Sequence, residues 1–121
     1  QNTCAITVVD AGTLVANVGQ TQLSSELTGG APGKATIVAT SAAYKVSVDT
    51  PTAFTTMPTG GAASSFAAKY STTGATTLTN MTTQQPLATG TTNVLVNLSA
   101  TKATGSFPTG LYAATVVLRC E

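Results

Sequence analysis

The chain has 121 residues, enough for one domain with a two-layer core; only 7% of them are charged and 42% are apolar, with a formal net charge of +1. Lys34, Lys45, Lys69, Lys102 and Arg119 are scattered among Asp10, Glu26, Asp49 and Glu121, which excludes the basic stripe that nucleic acid or an anionic membrane surface requires. The apolar fraction argues against disorder, and no apolar run approaches the roughly 20 residues that span a bilayer, so membrane insertion is not expected.

In chain order, Cys4 to Val9 reads as a strand and Asp10–Gly12 as a turn. Thr13 to Val18 continues as a second strand, or as the first one across a bulge. A single parity, Ile6, Val8, Leu14, Ala16 and Val18, carries the apolar face through both. Gly29–Gly33 is a turn, after which Ala35 to Thr40 is a strand with Ile37 and Ala39 on one face. Tyr44 to Asp49 alternates most cleanly, with Tyr44, Val46 and Val48 directed inward, and Pro51 ends it. Between 51 and 92 the signal weakens; strands are predicted at Phe66 to Tyr70 and near Thr76 to Asn80. Thr92 to Ala100 follows, with Val94, Val96 and Leu98 on one face. Phe107–Gly110 makes a turn, and Leu111 to Cys120 is the strongest strand in the sequence. No amphipathic helix and no internal repeat interrupts this pattern. About seven to eight short strands with turns between them predict a single all-β domain over 1–121, an immunoglobulin-like β-sandwich with mostly antiparallel pairing.

The composition narrows the chemistry. Histidine is absent, so Ser–His–Asp and Cys–His catalytic sites and histidine metal sites cannot be built. The four carboxylates do not pair as glycosidase acids would, and Asp10 and Asp49 sit beside turn residues, where an Asx-turn is their expected role. No enzyme activity, cofactor or metal is expected. The sequons at Asn80 and Asn97 are expected by chance in a chain with 26 Thr.

Cys4 and Cys120 are the only cysteines. Cys4 shares its strand parity with Ile6 and Val8, and Cys120 shares its own with Tyr112, Ala114, Val116 and Leu118, so both thiols point into one core if the terminal segments are strands. A disulfide fits an oxidising compartment, which predicts a secreted, extracellular protein with Gln1 as the start of a mature chain.

With so few charges, the surface is either hydrated by hydroxyls or covered by neighbours. The strands hold few of the Lys, Pro or bulge devices that blunt sheet edges. These features predict a structural subunit of a surface assembly, with itself as partner, growing by β-strand pairing. The parity Ile6, Val8, Leu14, Ala16, Val18 suits residues 1–18 to be a donated or exchanged strand, in which case Cys4 would bridge to Cys120 of a neighbour; a bridge within one chain is the other arrangement. The alternative is a secreted adhesive or carbohydrate-binding module, whose only plausible aromatic platform is Phe54, Phe66 and Tyr70.

The segment Phe107-Pro-Thr-Gly-Leu-Tyr-Ala-Ala-Thr-Val-Val-Leu-Arg-Cys120, a turn ending in Gly before a Tyr and alternating Val or Thr, resembles the last strand of bacterial secreted pilin-like domains of the spore coat protein U-like and chaperone–usher pilus subunit families. The resemblance implies a fimbria-like filament or coat, export through the periplasm, an export chaperone as a partner, and donor-strand complementation between subunits.

Overall fold

Alternating burial runs through most of the chain in the computed structural model, which describes residues 2–121 and holds ten β-strands and no helix among them. They are β1 (Cys4–Asp10), β2 (Val15–Ala16), β3 (Gln22–Ser24), β4 (Gly33–Ala39), β5 (Lys45–Asp49), β6 (Ser65–Gly74), β7 (Leu78–Met81), β8 (Gln85–Pro86), β9 (Gly90–Thr101) and β10 (Val117–Cys120). Every pairing is antiparallel. The result is an all-β sandwich of a seven-stranded and a three-stranded sheet.

The large sheet is organised by β9. Its twelve residues pair with β6 along one side, while β4 takes the first half of the other side and β3 the end of it. Beyond β4 lies β1, beyond β3 lies β2, and β7 closes the opposite margin next to β6. The small sheet runs β10-β5-β8. Inward side chains of the two sheets meet in two clusters. Ile37, Val46, Tyr70, Leu87 and Val94 form one, and Leu23, Phe54, Ala100 and Phe107 form the other. Ile37 and Val46 have no exposed surface, as the predicted parities of β4 and β5 require.

The second cluster is aromatic. Phe54 packs edge-on against Phe66 and Tyr112 at centroid distances of 5.0 and 5.1 Å, and Tyr112 against Phe107 at 5.7 Å. The Tyr112 hydroxyl donates to the Pro108 carbonyl at 2.6 Å, a tyrosine corner that fixes the entry of the last strand.

The Cys4–Cys120 disulfide forms within the chain, across a sequence separation of 116. It joins the first residue of β1 in one sheet to the last residue of β10 in the other. Closing so long a loop contributes about 5 kcal/mol in the chain-entropy account.

Three expectations are corrected. Leu111 to Cys120 is one extended segment with alternating burial, yet only Val117–Cys120 has a strand partner, because β5 ends at Asp49 ahead of Pro51. Ala113 makes a lone bridge to Thr56. Thr13 to Val18 is reduced to β2 and a bridge from Thr13 to Ala31. Asp49 makes no Asx-turn; it accepts from Arg119 Nε and Nη2, each at 2.7 Å.

Candidate functional site

Two sheet margins meet on one side of the sandwich, and no strand among the described residues covers either. On β1 the odd residues face β4: Thr40 N–H donates to the Thr3 carbonyl at 3.0 Å, and the ladder alternates from there through Ala5–Val38 and Thr7–Thr36. The backbone of Ile6 and Val8 therefore faces the open margin. The same holds along β2, where Asn17 N–H donates to the Gln22 carbonyl and Thr13 exchanges two bonds with Ala31, so Leu14 and Ala16 face outward from the sheet. On the last strand Glu121 exchanges two bonds with Lys45, which sets Arg119 and Val117 toward β5. Ala114, Val116 and Leu118 then direct their amides and carbonyls to the other side, where no strand lies among the described residues.

These two open edges flank one cavity of about 520 Å³, lined from the first side by Ile6, Val8 and Leu14 and from the second by Ala114, Val116 and Leu118. Its floor is the inward face of the large sheet at Ala35, Val96 and Leu98, with Ser25 as a polar spot. Ser25 is not a free hydroxyl: it donates to the Asn97 side-chain oxygen at 2.8 Å and accepts from the Leu98 amide at 3.0 Å. A second cavity of about 510 Å³ lies between Leu14, Ala16 and Gln20 on one side and Phe107, Leu111 and Tyr112 on the other. Gly12, Thr13, Leu14 and Tyr112 border both, so the two form a trough. It starts beside Leu118, near the disulfide, and runs to Leu111.

The trough is apolar and open to solvent. Val8 is 73% exposed, an unusual value for a large aliphatic side chain on the inward parity of its strand. β1 runs away from the disulfide and the last strand runs toward it. A peptide strand laid between them would thus be parallel to one wall and antiparallel to the other, with backbone hydrogen bonds available on both sides. From Tyr112 to Leu118 the wall spans roughly 20 Å at the usual strand rise, room for three or four inward side chains. The charged groups at its rim are Asp10 and Lys34, cross-strand neighbours on β1 and β4.

The residues singled out in the sequence fall in three places. Ile6, Val8 and Leu14 line the first cavity and Ala16 the second, while Val18 is wholly exposed beyond β2. Residues 4–10 are paired to their own β4 and Cys4 is bonded to Cys120 of the same chain, so this segment is a wall of the trough. The aromatic platform is corrected: Tyr70 is 1% and Phe54 9% exposed, in different core clusters, with Phe66 half-buried against Phe54. Tyr70 is consumed inside, its hydroxyl donating toward the carbonyls of Val46 and Thr83, and burial raises its pKa above 10.0. Of the two sequons, Asn80 is exposed beside Ser71, whereas Asn97 is half-buried on central β9 and accepts from Ser25.

Sequence reasoning anticipated the apolar parity on both walls and missed the empty space between them. The signal available was the last segment itself, whose alternation extends six residues beyond β5, with only Ala113 bridged on the way.

No helix among the described residues is long and apolar enough to cross a membrane. No protein-family model matches the chain, and no curated protein or solved structure matches it.

Proposed function

We propose that the chain is a structural subunit of an extracellular surface assembly, a fimbria-like filament or coat, that joins to a second copy through β-strand pairing in the trough. One observation carries this reading: two unpaired backbone edges face each other across an apolar cavity of about 520 Å³. A sandwich that ended its life as a monomer would be expected to cover or blunt such edges. A strand from a neighbour meets every unsatisfied need at once, supplying backbone partners to Ile6, Val8, Ala114, Val116 and Leu118 and apolar side chains to the cavity.

Residues 4–16 then act on the receiving side, and the donated strand comes from elsewhere in the partner. The disulfide fits an oxidising, extracellular location, and a surface that is 7% charged suits subunits largely covered by neighbours. Assembly needs no cofactor and no catalytic step. An export chaperone would fill the same trough before assembly.

Electron microscopy of the protein from its native source, unboiled and unreduced, tests the reading. Regular filaments or sheets are expected, releasing monomers on non-reducing gels because the disulfide is within the chain. Monodisperse particles of the 12.0 kDa chain alone would reject it.

A further inference from the structure

The position of the disulfide has a bearing on the trough that its contribution to overall stability does not capture. Of the strands that build the large sheet, β1 is poorly anchored by its side chains. Only Cys4 and Ile6 reach the core, whereas Ala5 and Thr7 through Asp10 are exposed. Its neighbour β4 buries Ala35, Ile37 and Ala39. What holds β1 is a one-sided ladder to β4, interrupted by a bulge between Val8 and Asp10, and the bond from Cys4 to Cys120. That bond joins the two walls of the trough at one end, and no strand among the described residues links them elsewhere.

The geometry points to a redox latch: the Cys4–Cys120 disulfide holds β1 in place as a wall of the empty trough, so that the oxidised subunit can take up a strand and the reduced subunit cannot. This rests on the reading of the trough as a strand-receiving site. Opening the latch is a two-electron exchange with a thiol reductant. Two reductant thiols become one disulfide, the Cys4–Cys120 S–S bond breaks, and each cysteine sulfur ends with one proton. The reverse exchange, with a disulfide-bearing oxidant, closes it. Once open, β1 loses its covalent fastening. An incoming strand must then order a free edge as well as itself, at the entropic cost of every residue fixed. When the trough is filled, the strand between the walls bonds to both, and the latch becomes redundant.

Amide hydrogen exchange on the full chain, oxidised and then reduced and alkylated, tests the latch directly. In the oxidised protein Ala5 and Thr7, bonded to β4, exchange slowly. After reduction their exchange is expected to accelerate at least 100-fold, to within about tenfold of an unfolded peptide, while the amides of β6 and β9 stay protected. The Cys4→Ser, Cys120→Ser double variant is expected to behave as the reduced protein does. Loss of protection in β1 and β9 together would show that the bond serves only global stability and would overturn the latch; so would slow exchange retained in β1. A fluorescein-labelled synthetic decapeptide of alternating valine and threonine separates the latch from the reading beneath it. Binding to the oxidised form at least tenfold tighter than to the reduced form is expected. Equal binding to both forms overturns the latch. Binding to neither, with β1 loosened on reduction, rejects the trough as a strand site and with it redox control of uptake, leaving the disulfide only as the fastening of β1.

Discussion

Val116 offers a sharp test of the trough, because its side chain lines the cavity while that of Thr7, on the other face of β1, is exposed and does not. Replacing Val116 by Asp removes a half-buried aliphatic group and costs the isolated subunit about 1 kcal/mol. The carboxylate remains hydrated, since the empty trough is open to water. A strand laid over it removes that water, and an unpaired carboxylate buried in this way costs several kcal/mol. Taking about 4 kcal/mol as the penalty, strand uptake weakens by roughly a thousandfold. Assembly is followed by light scattering and electron microscopy, and the fold by thermal melting of the isolated subunit. Val116→Asp is expected to melt within a few degrees of the parent and to form no assemblies, while Thr7→Asp assembles normally. Assembly of Val116→Asp at the parent's rate, or equal failure of Thr7→Asp, would refute the reasoning.

Three further outcomes follow from packing and charge. Tyr70→Phe leaves the carbonyls of Val46 and Thr83 without the hydroxyl that serves them; it should cost about 1–2 kcal/mol and lower the melting midpoint by roughly 3–6 °C, and an unchanged midpoint would mean that water replaces the hydroxyl. The Arg119 hydrogen bond, then its charge, holds the Asp49 carboxyl below its ordinary 3.8. A carboxyl depressed by folding stabilises above its unfolded pKa and stops doing so as pH falls through the folded one, so the advantage of the parent over Asp49→Asn should persist at neutral pH and vanish below pH 3.8. Thermal melts of both proteins from neutral to strongly acidic pH read this, and a pH-independent difference would contradict it. Gly12 and Gly60 both have positive φ, at 85° and 79°, but a Cβ on Gly12 would lie 2.7 Å from the Gly33 nitrogen whereas one on Gly60 meets nothing within 4 Å. Urea unfolding should show Gly12→Ala losing about 1–3 kcal/mol and clearly more than Gly60→Ala.

Where strands carry their own alternation and are paired along their length, they were legible in the sequence. β4, β5 and β9 lie within two residues of their predicted bounds, with the expected Ile37, Val46 and Val94 buried. β3 and β8 left no trace. β3 ends on buried Ser24 and is followed by buried Ser25, whose polarity argues for a surface loop until the hydrogen bonds of Ser25 to Asn97 and Leu98 are seen. β8 is two residues long and ends in proline. The aromatic residues misled for a related reason. Tyr70 and Phe66 lie on one parity of β6, and nothing in the chain says which face of β6 meets the second sheet.

By itself the sequence determined what depends on neighbours along the chain: strand parity, turns, the excluded histidine chemistry and an apolar face running from Ile6 to Ala16. It also placed both cysteines on core parities, since side chains alternate with a period of two whatever the topology. Only the tertiary structure decided which strand edges remain unpaired, because an edge is defined by what is absent beside it. The apolar parity of Ile6, Val8 and Leu14 is identical for a strand that is donated and for one that receives. The ladder to β4 and the bond from Cys4 to Cys120 make it a wall, and the trough exists because no strand among the described residues pairs with the side of Ala114, Val116 and Leu118 turned away from β5.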